Sequence, residues 1–113
     1  MARETKRGFG ENRGMPLLPE LEAYQTRLED RAAAWDETGD EVLIADLARC
    51  DEQVRLLERS LTQLSGTLEA MPAEAREDRQ RGERRQRVLT QTRDLTAAYA
   101  HVLRGHMARR GQA

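Results

Sequence analysis

Apolar residues recur through the middle of the chain at a strict 3.5-residue spacing. Between Leu43 and Met71 they follow one another at alternating intervals of four and three residues, without a polar interruption. A β-strand would alternate with a period of two, whereas this spacing keeps one narrow apolar stripe on one side of an α-helix. The pattern predicts a long central helix over about residues 41–71. Its stripe consists of Leu43, Leu47, Cys50, Val54, Leu57, Leu61, Leu64, Leu68 and Met71.

A shorter apolar pattern precedes the central helix. Helical spacing from Leu17 onwards predicts a first helix over about residues 17–38, which begins beside two prolines that suit a first turn. We expect Gly39 to cap its C-terminus and Asp40 to cap the next helix. Trp35, the only tryptophan, is next to this turn. We expect it to close that end of the core by packing on Val42, Leu43 or Leu47.

The last third of the chain predicts another helix. Pro72 ends the central helix and can begin the next one, over about residues 73–109. Its apolar positions return only at Val88 and continue to Met107. Residues 1–15 are polar and glycine-containing, which predicts a flexible N-terminal tail. The expected fold of residues 16–113 is all-α, an antiparallel helical hairpin or three-helix bundle with one long central coiled-coil-like helix.

The antiparallel register indicates where the apolar stripe lacks cover. It places Leu28 near Cys50, whereas residues 73–87, which contain no apolar side chain larger than alanine, lie opposite the end of the central helix. Arg76, Gln80 and Glu83 would face the stripe there without burying it. We therefore expect that end to hold a second copy of the chain or an amphipathic helix of another protein.

The third helix has a thinner apolar stripe, and its release would uncover a second stretch of the same seam. The predicted partner-binding residues therefore lie on both helices. They are Leu57, Leu61, Leu64, Leu68 and Met71 on the central helix, and Leu95, Tyr99 and Val102 on the third.

Composition narrows the class of protein. The chain has 113 residues, 35% of them charged and only 4% aromatic, which is typical of long helices in one small domain. It contains no run of eighteen apolar residues and no apolar signal-peptide core, so we expect a cytoplasmic protein without a membrane partner. The net charge of −1 conceals a partition, because residues 16–71 are acidic and residues 72–113 are basic.

The basic part of the chain raises the question of nucleic acid. Five arginines stand between Arg79 and Arg87, but acidic residues are interleaved and no aromatic platform accompanies them. The sequence pI of about 6.1 is also far from that of a typical nucleic-acid-binding domain. We therefore expect a solvated helix face, with non-specific and weak binding to nucleic acid at most.

No catalytic or metal site is predicted. His101 and His106 are five residues apart and lie on different sides of a helix, so they do not chelate one ion. Cys50 is the only cysteine and occupies a stripe position, where we expect a small core residue. The sequence contains neither a phosphate-binding glycine loop nor a nucleophile elbow. We expect no enzymatic activity and no cofactor.

Residues 24–57 carry a resemblance to a known family. The run RLEDRAAAWDETGDEVLIADLARCDEQVRLLE resembles the front hairpin of flagellar type III export chaperones of the FliT kind, and more loosely of the FlgN kind. The later VLTQTRDLTAAYAHVLR is similar in character to their final helix. The resemblance implies a cytoplasmic chaperone that holds the terminal helical segment of a late flagellar export substrate, such as the filament cap protein, and delivers it to the export ATPase.

Three functions remain open from the sequence. The first is a helical binding module of the export-chaperone type. The second is a self-associating coiled-coil structural or adaptor protein, as a homodimer. The third is a small regulator that contacts nucleic acid or RNA polymerase through its basic third helix.

Overall fold

The protein folds as an antiparallel helical bundle. The computed structural model describes residues 16–112, and within them it contains three α-helices and no strand. The all-α fold with a long central helix is thus confirmed, while the predicted tail, residues 1–15, lies outside the described part. The helices are α1 (Glu22–Ala33), α2 (Asp40–Ala70) and α3 (Arg76–Gln112), with short 3-10 turns at Pro19–Leu21 and Trp35–Glu37.

The first helix is shorter than the predicted span of residues 17–38. The chain enters through a 3-10 turn with Pro19 at its start, and it leaves α1 through a second such turn that begins at Trp35. Side chains bond the carbonyl groups released there: the Thr38 hydroxyl donates to Ala34 O at 2.7 Å, and Arg110 donates to Trp35 O at 3.0 Å. These bonds replace the next helical turn, because carbonyl groups at a helix end need other partners.

The turn into α2 also differs from the prediction. Gly39, not Asp40, is the N-cap, and it has extended backbone angles and no side-chain cap. Its carbonyl accepts from the backbone N–H groups of Val42 and Leu43 at 3.1 and 3.2 Å. Asp40 is instead the first helical residue, where a carboxylate is favoured by the positive end of the helix dipole.

The turn between α2 and α3 is bonded by an arginine. Met71 has extended angles because Pro72 disfavours the helical conformation of the residue before it. The chain then makes a turn closed by Ala75 N–H to Pro72 O at 3.1 Å, so α3 begins at Arg76 rather than at residue 73. Arg79 donates to Leu68 O at 3.2 Å and to Met71 O at 3.0 Å, which satisfies two carbonyl groups at the end of α2.

The core fills one part of a molecule that measures 59 × 31 × 19 Å. All three helices contribute to it, and α3 supplies four of the ten residues in the buried cluster. It does not extend evenly along the two long helices, because α1 accompanies them over only part of their length. The buried cluster consists of Leu21, Leu28, Ala32, Trp35, Leu43, Cys50, Leu95, Tyr99, Ala100 and Leu103.

Trp35 closes one end of this core, as predicted, and belongs to the same buried cluster as Leu43. It is 1% exposed, and its ring centroid lies 5.3 Å from that of Tyr99 and 5.2 Å from that of His106. Val42, one of the three residues expected to cover it, is 58% exposed. Arg110 completes this end, because it also donates to Thr38 O at 2.5 Å and pairs with Asp40 at 3.2 Å.

Candidate functional site

One line of residues on α2 changes from buried to half-buried along the helix. Leu43 and Cys50 are each 2% exposed, whereas Leu57, Leu64 and Met71 are only half-buried. These five positions are seven residues apart, so they lie on the same side of the helix. We call the half-buried part, Leu57, Leu64 and Met71, the open seam. Its side chains are ones that a helical partner can cover.

The open seam begins where α1 stops covering the hairpin of α2 and α3. Buried Gln91 holds the entering chain with both ends of its amide: Oε1 accepts from Leu18 N–H at 2.8 Å, and Nε2 donates to Pro16 O at 3.0 Å. Towards the start of α3, Arg84 forms an ion pair with Glu20 at 2.5 Å. From this level to Arg76, no element within residues 16–112 lies beside α2 and α3.

Leu68 was predicted to belong to the exposed stripe, and that prediction is wrong. It is 7% exposed, because α3 approaches α2 closely at Gly82. A Cβ atom at Gly82 would lie 2.5 Å from Leu68 Cδ2, so the absence of a side chain allows the contact. The sequence register had placed Arg76, Gln80 and Glu83 here. The glycine between the charged residues was the missed signal.

The predicted site residues of α3 do not lie on a free surface either. Leu95 is 2% exposed, Tyr99 is fully buried, and Val102 is half-buried against the core. All three pack inside the bundle, so they do not form a partner surface in this structure. This packing agrees with the predicted register, and the partner-binding role of the three residues, which requires release of α3, stays a prediction.

Leu61 lies at a different opening from the open seam. It lines a groove of about 620 Å³ between α2 and α3, together with small and polar residues. Two acidic side chains and one arginine border this groove, so it is a more polar surface. The remaining lining residues are Glu58, Thr62, Ser65, Gly66, Glu69, Gln86, Thr90 and Arg93.

A buried polar network joins the three helices beside Cys50. Tyr99 OH donates to Asp46 Oδ2 at 2.5 Å and accepts from Trp35 Nε1 at 3.1 Å. Asp46 also accepts from Arg31, whose guanidinium lies 4.8 Å from the centroid of the Tyr99 ring. This network is not among the features predicted from the sequence. The available signal was the hairpin register, because pairing Leu28 with Cys50 brings Arg31 level with Asp46.

Burial determines the protonation of two groups in this network. Desolvation, reinforced by the hydrogen bond to Asp46, raises the pKa of Tyr99 to about 12. Desolvation and the nearby Asp46 carboxylate also raise the pKa of the Cys50 thiol, against the opposing effect of Arg31. Both groups therefore stay protonated at neutral pH. A buried, protonated thiol is a poor nucleophile, so Cys50 acts as a core residue.

The two histidines have different surroundings. His101 is exposed, while the His106 ring lies against Trp35 at a tilt of 35°, with its Nε2 atom 3.8 Å from Asp36 Oδ1. No group of three metal-ligating side chains occurs among residues 16–112.

Comparison with protein-family models, with curated proteins and with solved structures gives no match. Nor does any helix in the described part of the chain combine the length and the apolar character needed to cross a membrane.

Proposed function

We propose that the protein is a helical binding module that holds an amphipathic helix of another protein along the open seam. The observation that supports this function is the line from Leu43 to Met71, which is buried where α1 covers it and half-buried beyond the entry of the chain. A helix placed there continues the three-helix packing already present in the other half of the molecule. Covering a side chain of this size stabilises a complex by about 1.5–3 kcal/mol when burial is complete, and by less here.

The resemblance to flagellar export chaperones gives this proposal a biological form. In that form the protein is a cytoplasmic chaperone, and the helix it holds is the terminal segment of a flagellar or type III secretion substrate. The features of this chain that support the chaperone form are the α1–α2 hairpin, on which the resemblance rests, and the long α3 that follows.

The test measures binding of amphipathic helical peptides to the wild type and to two matched variants. Leu64→Glu places a charge in the open seam, whereas Leu56→Glu places the same charge at a neighbouring exposed leucine outside it. We expect Leu64→Glu to weaken binding about tenfold or more and Leu56→Glu to leave it unchanged.

Peptides from the terminal helix of the filament cap protein test the chaperone form separately. Methyl NMR shifts that are confined to Leu57, Leu64 and Met71 would support the location. Equal binding by both glutamate variants would contradict it.

A further inference from the structure

Arg81 occupies a position on α3 that is in line with two residues of the core. It precedes Val88 by seven residues and Leu95 by fourteen, so the three lie on the same side of the helix. Leu95 is buried and Val88 packs against the core, whereas the Arg81 side chain is 75% exposed. The line thus changes from apolar to arginine beyond Gln91, the residue that holds the entry of the chain. Arg81 therefore lies on the α3 side of the open seam and gives that side a positive charge.

The two sides of the open seam, one formed by α2 and the other by α3, differ in charge. On α2 its outer flank is a second line at seven-residue spacing, Gln53, Ser60 and Thr67, which is uncharged and exposed. On α3, residues 76–87 contain six arginines and three acidic residues. Within that segment Arg81 pairs with Asp78 at 2.7 Å, but it remains mostly in solvent. A helix lying in the seam would meet net positive charge along one edge only.

The 3-10 turn before α1 shows which side chains pack against this face of α3. Leu21 is buried, and the preceding residue, Glu20, pairs with Arg84 at 2.5 Å. The segment before α1 thus already places an apolar residue toward the core and an acidic residue toward α3, on the same side of α3 as the open seam. Residues 16–39, which contribute this cover, carry six acidic and two basic groups.

We propose that the occupant of the open seam is an amphipathic helix with an acidic edge, whose apolar stripe rests on Leu57, Leu64 and Met71 while its acids face Arg81. This inference rests on the proposed function and specifies the chemistry of the partner. Charge disfavours the two other occupants. Residues 1–15 carry four basic and two acidic groups, and the open seam of a second copy is flanked by the same basic α3 and the uncharged line of α2, so it offers no acidic edge.

Two synthetic three-heptad peptides test the charge preference. They share one leucine stripe and differ only along one edge, which carries glutamates in the first and lysines in the second. Fluorescence anisotropy gives their affinities at about 50 and about 300 mM NaCl. We expect the glutamate peptide to bind about tenfold more tightly at the lower salt, and the ratio to shrink at the higher salt.

Variants at Arg81 separate charge from folding. Arg81→Glu is expected to lower the ratio of the two affinities about fivefold, and Arg81→Gln to lower it by less. Arg59→Glu, which makes the same change at an exposed arginine of α2, serves as the control and should leave the ratio unchanged. Because Arg81→Glu should improve binding of the lysine peptide, a merely unfolded variant would not reproduce the result.

Other outcomes would overturn the inference in distinguishable ways. Equal affinity for both peptides, lost in Leu64→Glu, would reject the acidic edge and leave the proposed function intact. A Leu64-dependent dimer that excludes both peptides would identify a second copy as the occupant. Failure of both peptides to bind a monomeric wild type would reject the proposed function as well.

Discussion

Gly82 of α3 lies directly against Leu68 of α2, at a distance that leaves no room for a Cβ atom. This contact brings the first turns of α3 close to the end of α2, although no large apolar side chain of α3 lies there. It buries Leu68 and leaves Leu64 and Met71 half-buried beside it. The close approach therefore determines which residues of the central stripe remain available to a partner.

Alanine substitutions at two glycines test the close contact between α3 and α2. In an open helical position, replacement of glycine by alanine stabilises by about 0.5–1 kcal/mol. Gly66 meets this condition, since an added Cβ atom has nothing within 4 Å, so Gly66→Ala should raise the free energy of unfolding by that amount. Gly82→Ala should instead lower it by about 1 kcal/mol, because Leu68 must shift. Urea unfolding measures both, and an equal gain in the two variants would contradict the close approach.

The hydroxyl group of Tyr99 is expected to contribute more to stability than that of Tyr24. Tyr99 donates to the buried carboxylate of Asp46, whereas Tyr24 bonds the neutral hydroxyl of Thr96 at 2.5 Å. Bonds to charged groups are the stronger class. Tyr99→Phe should lower the free energy of unfolding by about 1.5–3 kcal/mol and Tyr24→Phe by about 0.5–1.5 kcal/mol. Chemical unfolding at neutral pH checks the order, and a larger loss in Tyr24→Phe would refute it.

The raised pKa of Tyr99 predicts a specific pH dependence. The folded-state pKa of about 12 exceeds the ordinary value of 10.0, so the folded protein holds this proton more tightly than the unfolded chain does. The resulting stabilisation is complete below about pH 10 and is lost as the pH rises toward about 12. The difference in unfolding free energy between wild type and Tyr99→Phe should therefore narrow over this interval. A constant difference from pH 9 to pH 12 would count against the shift.

The helical stripe and the hairpin register were predictable because each depends on spacing along one helix. The 3.5-residue period identified α2, and antiparallel pairing correctly placed Leu28 with Cys50 in one core. Trp35 was also correctly assigned to the closed end. Local patterns of this kind carry over into the structure wherever two helices pack along their length.

The buried Asp46 was not predictable from its own helix. A carboxylate on a charged helix normally lies in solvent, and it is buried here because Arg31 and Tyr99 reach it from two other helices. Gly82 was not predictable for the same reason. From the sequence alone, a glycine inside a helix indicates only a local loss of stability, because its contact with the neighbouring helix is not visible there. Both errors concern contacts between distant parts of the chain.

Shortening a core residue should destabilise the protein more than shortening a residue of the open seam. Leu103 is fully buried, so Leu103→Ala should lower the free energy of unfolding by about 2–5 kcal/mol. Leu64 is half-buried and loses fewer contacts when shortened, so Leu64→Ala should cost about 1 kcal/mol. Urea unfolding of the two variants provides the comparison, and circular dichroism checks that both remain helical. Because Leu64, unlike Leu103, lies on the open seam, its alanine variant should also bind the helical peptide more weakly while it stays folded. If Leu64→Ala instead destabilises the protein as much as Leu103→Ala does, this part of α2 is already covered and is not a site for a partner.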